Sequence, residues 1–258
     1  KPAQGINSYL LPGLHISDPA PLKDNEGLAF EGVKPYGDGF LFEDGNDKAT
    51  PLGEMERLVS RQPASRSMIS PYMGGAELNN TPSLEASRYI INFGDLPESE
   101  AAKWPELLRI VRERVRPERL TKAKDVAAWP YWQFWRTRQN AFRRAREASR
   151  MLATARVSNA FAFAFLPSHY AANEKIVVFS LAQAAAFATL QSRTHEIWVR
   201  LFGSSLKDDL NYTSTDCFET FPFPSNWLQN PALEQAGERY YAHRAELMVR
   251  NNEGLTTT

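Results

Sequence analysis

One cysteine, Cys217, stands in 258 residues. No internal disulfide framework can hold this chain, and a reducing cytoplasm is the expected setting. No run of about eighteen apolar residues occurs, so no membrane-spanning helix is expected. Only four histidines are present, and His195-Glu196 has no second His at helical spacing, so it is not a zinc helix. There is no P-loop, no G-x-G-x-x-G after a strand and no G-x-S-x-G. The Asp208-Asp209 pair in a charged loop reads as solvated rather than as a magnesium site. A nuclease built on Asp208, Asp209 and Glu219 is the weakest reading. No catalytic residue and no metal ligand is assigned, and catalysis by this chain alone is not expected. A secretory signal is lacking and Lys1 is not Met, so the text reads as a piece of a longer protein.

What is present is a lopsided charge. The formal net charge is zero, yet residues 101–150 hold 14 Lys and Arg against 5 Asp and Glu. Residues 1–100 hold 8 against 15. A basic middle in a neutral chain concentrates positive potential on one surface, as a polyanion partner requires. The plain alternative is a solvated, salt-bridged helix face.

Taken in order, residues 1–60 are rich in Gly, Pro and Asp. Ile6 to Asp18 alternates weakly, as a short strand does. Lys34 to Asp47 reads as a hairpin or a loop around Phe40 to Phe42. Thr50 to Arg61 predicts a helix with Pro51 near its first turn. Ile69 to Asn80 reads as a turn-rich connection and Arg88 to Gly94 as a strand. Pro97 to Pro117 predicts a helix buried through Leu107, Leu108, Val111 and Val115. Glu118 to Ala128 predicts a second, short helix, and Arg138 to Arg150 a basic helical segment. Met151 to Pro167, with Phe161, Phe163 and Phe165 on one face, predicts a half-buried strand that pairs with Glu174 to Ser180. Leu181 to Phe202 predicts one long helix, Ala-rich at its start, and Pro231 to Asn252 a last, separate one. The expected fold is α+β: a small mixed or antiparallel sheet flanked by helices, followed by the start of a C-terminal helical domain.

The segment Leu190 to Pro224 organises the rest. Leu190, Thr194, Ile197, Trp198 and Leu201 recur at helical spacing. Gly203 ends that helix as a residue tolerant of positive φ. A polar loop follows, with Lys207, Asp209, Asn211 and Tyr212 at its tip, and an aromatic, proline-rich clamp from Cys217 to Pro224 closes it. His195 and Glu196 are expected to hold the base of the loop by hydrogen bonds, and Phe218, Phe221 and Phe223 to be core.

These motifs, LQSRTHEIWVR, FGSSLKDDLNYT and DCFETFPFP, resemble the target-recognition region of the MmeI-like single-chain restriction–modification enzymes. RVSN, FAFLP and VVFS (Arg156 to Ser180), ISPYMGGAELNN, SRYIINFGDL, LLRIVRERVRPER and YWQFWRTR fit the same region in order. The resemblance implies a partition. Residues 1–95 follow an absent methyltransferase domain, 96–225 form the DNA target-recognition core, and 226–258 begin the helical domain. The partner implied is double-stranded DNA, together with methyltransferase and nuclease domains of the same chain. S-adenosylmethionine and Mg2+ would belong to that parent enzyme, an adenine N6 methyltransferase; no cofactor is expected in this piece.

By the same resemblance, the positions of Lys207 and Asp209 read one base pair. Two apart in extended backbone, they point the same way. Lys donates to guanine O6 and N7, and Asp accepts from cytosine N4. The alternative is an exposed ion pair of little worth. Asn211, Arg156 and Ser158 complete the expected base-reading set, although Arg156 could instead pair with Glu174. Arg136, Arg138, Arg143, Arg144, Arg146 and Arg150 are the expected phosphate contacts, which set register and make affinity salt-dependent. Trp132, Phe134 and Trp135 are expected in the core rather than stacked on bases. A reading from another class, a protein-interaction module of a defence complex with an acidic partner on the basic surface, stays open.

Overall fold

The structure, a computed structural model, describes residues 18–206 and 209–258. Its strands are β1 Ala29–Glu31, β2 Leu41–Phe42, β3 Ile69–Met73, β4 Arg88–Ile91, β5 Arg150–Ala155, β6 Val157–Ser158, β7 Phe163–Pro167, β8 Ala171–Ala172, β9 Ile176–Phe179, β10 Ser204–Leu206 and β11 Asp209–Asn211. The expected strand within Ile6 to Asp18 lies, up to residue 17, outside the described residues.

Alternating side chains build the centre. β1, β9, β5 and β7 form an antiparallel sheet in that order. Met151, Ala153, Ala164, Leu166, Ile176 and Val178 face one core, shared with a second sheet. Leu152, Phe163, Phe165, Val177 and Phe179 face another, beneath the helices around Leu190 and Val199. Successive strand residues point to opposite faces, so this sheet is buried on both. That corrects the expected half-buried strand: the small residues between the phenylalanines are as enclosed as the rings. Met151 to Pro167 also falls in three strands, β5, β6 and β7, rather than one, and β5 lies between β7 and β9, which do not pair with each other. The second sheet runs β2, β4, β3, β8, antiparallel except for β3 with β8.

The helices are α1 Leu52–Arg61, α2 Gly75–Asn80, α3 Glu98–Ala101, α4 Pro105–Leu120, α5 Lys124–Ala128, α6 Gln139–Ala145, α7 Ala184–Leu190, α8 Arg193–Phe202 and α9 Pro231–Asn251. The turn-rich reading of Ile69 to Asn80 is corrected: it holds β3 and α2, whose start is capped by Glu77 on the Gly74 amide. The single helix expected from Pro97 is split, because Pro105 starts a new one, which runs through Pro117 to Leu120.

The long helix expected from Leu181 breaks at Ser192. That residue is extended, and its hydroxyl accepts from the His195 amide, 3.3 Å away, as an N-cap does. Gln191 turns its side-chain amide to the sheet, bonding the Phe163 amide and the Phe161 carbonyl, each at 2.9 Å. In α8 the buried positions are His195 and Val199, whereas Ile197, expected inside, is 53% exposed.

Glu234 near the start of α9 accepts from the Ala184 and Ala185 amides at 2.9 and 2.6 Å, satisfying the N-terminus of α7. Buried Arg244 donates to the Phe163 carbonyl and to Gln191. The final helix is therefore tied to the first sheet by polar as well as apolar contacts.

Candidate nucleic-acid interface

The third sheet carries the site. β10, β11 and β6 pair antiparallel, with Ser204 opposite Asn211, Leu206 opposite Asp209, and Asn211 opposite Val157. Asp209 and Asn211, two apart on one strand, share a face. Asn211 Nδ2 donates to Ser204 Oγ at 2.7 Å, and its Oδ1 is enclosed with no donor. Ser158 Oγ accepts from Asn79 at 3.3 Å and from the Ala160 amide at 3.2 Å. Arg156, Ser158, Asp209 and Asn211 thus line one cleft of about 800 Å³. Lys207 and its neighbour Asp208 lie outside the described residues. Sequence reasoning missed Lys175 and Asn79 on the same walls. Exposed Lys175 is brought in by the bend before β9, which no local pattern announces.

Below the cleft, Tyr212 and His195 anchor the strand. The Tyr212 hydroxyl lies 3.3 Å from His195 Nε2, while Nδ1 lies 2.7 Å from the Leu190 carbonyl and Nε2 3.2 Å from that of Cys217. Burial pushes the imidazole down to about 4 against two backbone bonds that favour its charge, so it is neutral at pH 7. A neutral ring has one N–H. The shorter contact assigns it to Nδ1, donating to Leu190, which leaves Nε2 to accept from Tyr212. Glu196 does not share this role. It pairs outward with Arg193 and Arg200 at 2.7 and 2.9 Å, because its place on α8 turns it away from the core. Gly203 also differs from expectation: its φ is −76°. Space, not handedness, selects glycine, since a Cβ would sit 2.4 Å from the Val199 carbonyl oxygen and 3.0 Å from Cys217 Sγ.

The arginines divide into two groups. Arg156 pairs with Glu31 at 3.1 Å. Glu174, its alternative partner, pairs with Lys34 at 3.3 Å instead. Arg138 and Arg136 reach the same Glu31 at 3.8 and 4.0 Å. Arg150 begins β5 and Arg156 follows its end, roughly 20 Å away at about 3.3 Å per residue. At that far end Arg150 donates to the Ala182 carbonyl at 2.8 Å and lies 3.9 Å over the Phe165 ring. Arg144 is exposed and reaches the Gly27 carbonyl at 3.4 Å; Arg143 is exposed as well. Burial lowers the pKa of Arg146, which lies 6.0 Å over Phe142. The structure thus brings Arg136 and Arg138 to the cleft end and leaves Arg143, Arg144, Arg146 and Arg150 elsewhere. Phe134 is fully buried, and the Trp132 indole donates to the Leu96 carbonyl at 2.9 Å. Trp135 packs edge-on against Trp129, 5.6 Å away. Phe218 and Phe221 are buried in the core beside β9 and α8. Among the described residues no group of three or more His, Cys, Asp or Glu could hold a metal ion, and no helix is long and apolar enough to cross a membrane.

The family model for the MmeI target recognition domain matches residues 30–225. This chain belongs to that family. The match spans all three sheets and ends just after the proline-rich clamp. No curated protein matches the chain. Among solved structures, the MmeI-family fold is seen in the type IIL restriction–modification enzyme MmeI in complex with DNA. That structure is 20% identical with a TM-score of 0.71, over 95% of this chain and 31% of the other. The type IIG restriction endonuclease BpuSI is more distant, 11% identical with a TM-score of 0.46, over 86% and 26%. The chain thus spans under a third of the length of the MmeI structure. The α+β architecture of small sheets and flanking helices agrees with the fold expected from sequence.

Proposed function

We propose that this chain reads a short sequence of double-stranded DNA and presents it to an adenine N6 methyltransferase domain and a nuclease domain outside the chain. Those domains would use S-adenosylmethionine and Mg2+ in the cytoplasm. The observation that supports this most is the cleft in which Asp209, Asn211, Ser158 and Arg156 meet on one three-stranded sheet and its border. Carboxylate, amide, hydroxyl and guanidinium together cover the donor and acceptor patterns of base edges. In this reading Lys207 joins Asp209 at one base pair, and Arg136 and Arg138 hold the flanking phosphates.

The test has two arms. Binding to a random-sequence duplex falls steeply between about 50 and 200 mM salt, since each neutralised phosphate contributes about −0.9 to the log–log slope. A flat response rejects the reading. In the full-length enzyme, Lys207→Glu with Asp209→Arg changes one position of the methylated motif seen by methylome sequencing. An unchanged motif removes those two residues from base reading.

A further inference from the structure

Three arginines from two separate segments face one carboxylate. Glu31, at the end of β1, lies 3.1 Å from Arg156, 3.8 Å from Arg138 and 4.0 Å from Arg136. Lys34, held 3.3 Å from Glu174, stands on the same edge, because its backbone pairs with that of Arg136. Exposed Lys175 neighbours Glu174 in the chain and lines the cleft with Arg156. One carboxylate cannot neutralise three guanidinium groups, so the cluster around Glu31 keeps an excess of positive charge. Two further features mark it. Arg138 is held at φ 54°, a left-handed conformation uncommon outside glycine, and its Nε is enclosed without an acceptor. Arg136 and Arg156 remain substantially exposed, at 55% and 41% of their side chains.

We propose that Arg136, Arg138 and Arg156 form a clamp for one backbone phosphate of DNA, and that Glu31 is its internal stand-in. The inference rests on the DNA-reading function above. It moves Arg156 from base reading to the backbone and gives Glu31 a role. In the free protein the carboxylate keeps three mutually repelling cations assembled beside the cleft. On binding, a phosphate oxygen takes the place of the carboxylate oxygens, since guanidinium groups bind both with the same paired N–H donors. Glu31 is then a positioning residue that also competes with the ligand. The clamp is preformed, so binding orders little that is not already ordered. Competition with Glu31 also weakens contact with any phosphate that is not delivered in register, which favours sites where the neighbouring bases fit.

The test measures binding of the full chain to a labelled random-sequence duplex across a salt series. Glu31→Gln is expected to tighten binding about ten-fold at 100 mM salt, while Arg156→Gln and Arg138→Gln each weaken binding at that salt and together lower the salt slope by no more than about 0.9, the share of one phosphate. A structural role for Glu31 predicts the reverse, with Glu31→Gln binding as the wild type does or more weakly; that result overturns the clamp. Should Glu31→Gln fail to fold, Arg156→Gln decides alone, and unchanged affinity at 100 mM salt overturns the clamp. A wild-type chain with a flat salt response overturns the DNA reading itself. Steep wild-type binding with unaltered variants overturns only the clamp.

Discussion

The hydroxyl of Tyr212 lies 3.3 Å from Nε2 of His195, joining the residue that follows β11 to the interior of α8. Both side chains are buried. Burial raises the Tyr212 pKa well above its usual value and pushes His195 down to about 4, so the pair is neutral across the physiological range. The base of the candidate reading strand is therefore pinned by an uncharged bond inside an aromatic cage that includes Phe163 and Phe221.

Acid should loosen this anchor. His195 titrates near 6.5 when unfolded and near 4 when folded. Above pH 6.5 both states are neutral and the full stability is present. Between 6.5 and 4 only the unfolded state takes up the proton, so stability falls with pH, by roughly 3 kcal/mol in all. Denaturant unfolding at pH 7 and pH 5 measures the slope. A His195→Asn variant is expected to be less stable at pH 7 but to lose less on acidification. Equal pH slopes for the two proteins would exclude His195 as the source.

Arg119 is a second buried group, and its role is structural. The side chain is 1% exposed. Its guanidinium donates to the carbonyls of Tyr36, Pro130, Pro35 and Gln133 at 3.2, 2.8, 2.6 and 2.6 Å. Burial lowers its pKa to about 10, still charged at pH 7. Among the described residues only the Pro130 carbonyl has a second donor, the Gln133 amide at 3.1 Å. Arg119→Met would leave the Tyr36, Pro35 and Gln133 carbonyls without a donor, at a cost of roughly 3 kcal/mol or more, since each enclosed polar group without a partner costs about 1–3. Arg119→Lys keeps the charge with three donors and should lose less. Unfolding midpoints of the two variants check the order; a Met variant within about 1 kcal/mol of wild type contradicts it.

Gly237 offers a sharper contrast between local and tertiary terms. It lies inside α9, where Gly→Ala normally gains about 1 kcal/mol of helix propensity. Here a Cβ would fall 2.1 Å from the Ala184 carbonyl oxygen and 2.6 Å from its carbon, both backbone atoms of α7. Backbone cannot swing aside as a side chain can, and overpacking of this kind costs about 1–3 kcal/mol. Gly237→Ala is therefore expected to destabilise the protein on balance. Because Glu234 caps α7 from the same helix, amide exchange at Ala184 and Ala185 should quicken as well. Unchanged protection at both would show that α9 does not hold α7.

What could be read beforehand followed local rules. Alternation placed Phe163 and Phe165 on one face, and helical spacing placed Leu107, Leu108, Val111 and Val115 in the core. The motifs between Leu190 and Pro224 carried the family. What escaped was decided by partners distant in sequence. Ser192 breaks a helix that Ala and Leu would continue, because Gln191 finds the edge of β7. Glu31 looks like any acidic residue in a turn-rich region until β1 sets it beside arginines far along the chain. No local pattern announces the burial of Arg119, because the loops that close over it come from elsewhere in the chain. Gly203 ends its helix for want of space rather than for handedness: the Val199 carbonyl crowds it from within α8, and Cys217 adds to that from a segment that only folding brings near.

The last expectation concerns Asn211. An asparagine amide pairs with adenine by donating to N7 and accepting from N6. In the free protein Asn211 gives one N–H to Ser204 and its enclosed Oδ1 has no donor, so the amide meets a base by turning out of its hairpin bond, at the cost of that one bond. On the proposed reading, Asn211→Ala removes discrimination of about 1–3 kcal/mol at a single base pair, a factor of roughly 5 to 150. The methylated motif of the full-length enzyme should become degenerate at one position and keep the others. Binding to random duplex should change little, because the residue carries no charge and the lost Ser204 bond costs only about 1 kcal/mol of stability. A motif that stays fully specific would move Asn211 from the reading surface to the frame of the hairpin, where its bond to Ser204 would be its whole role.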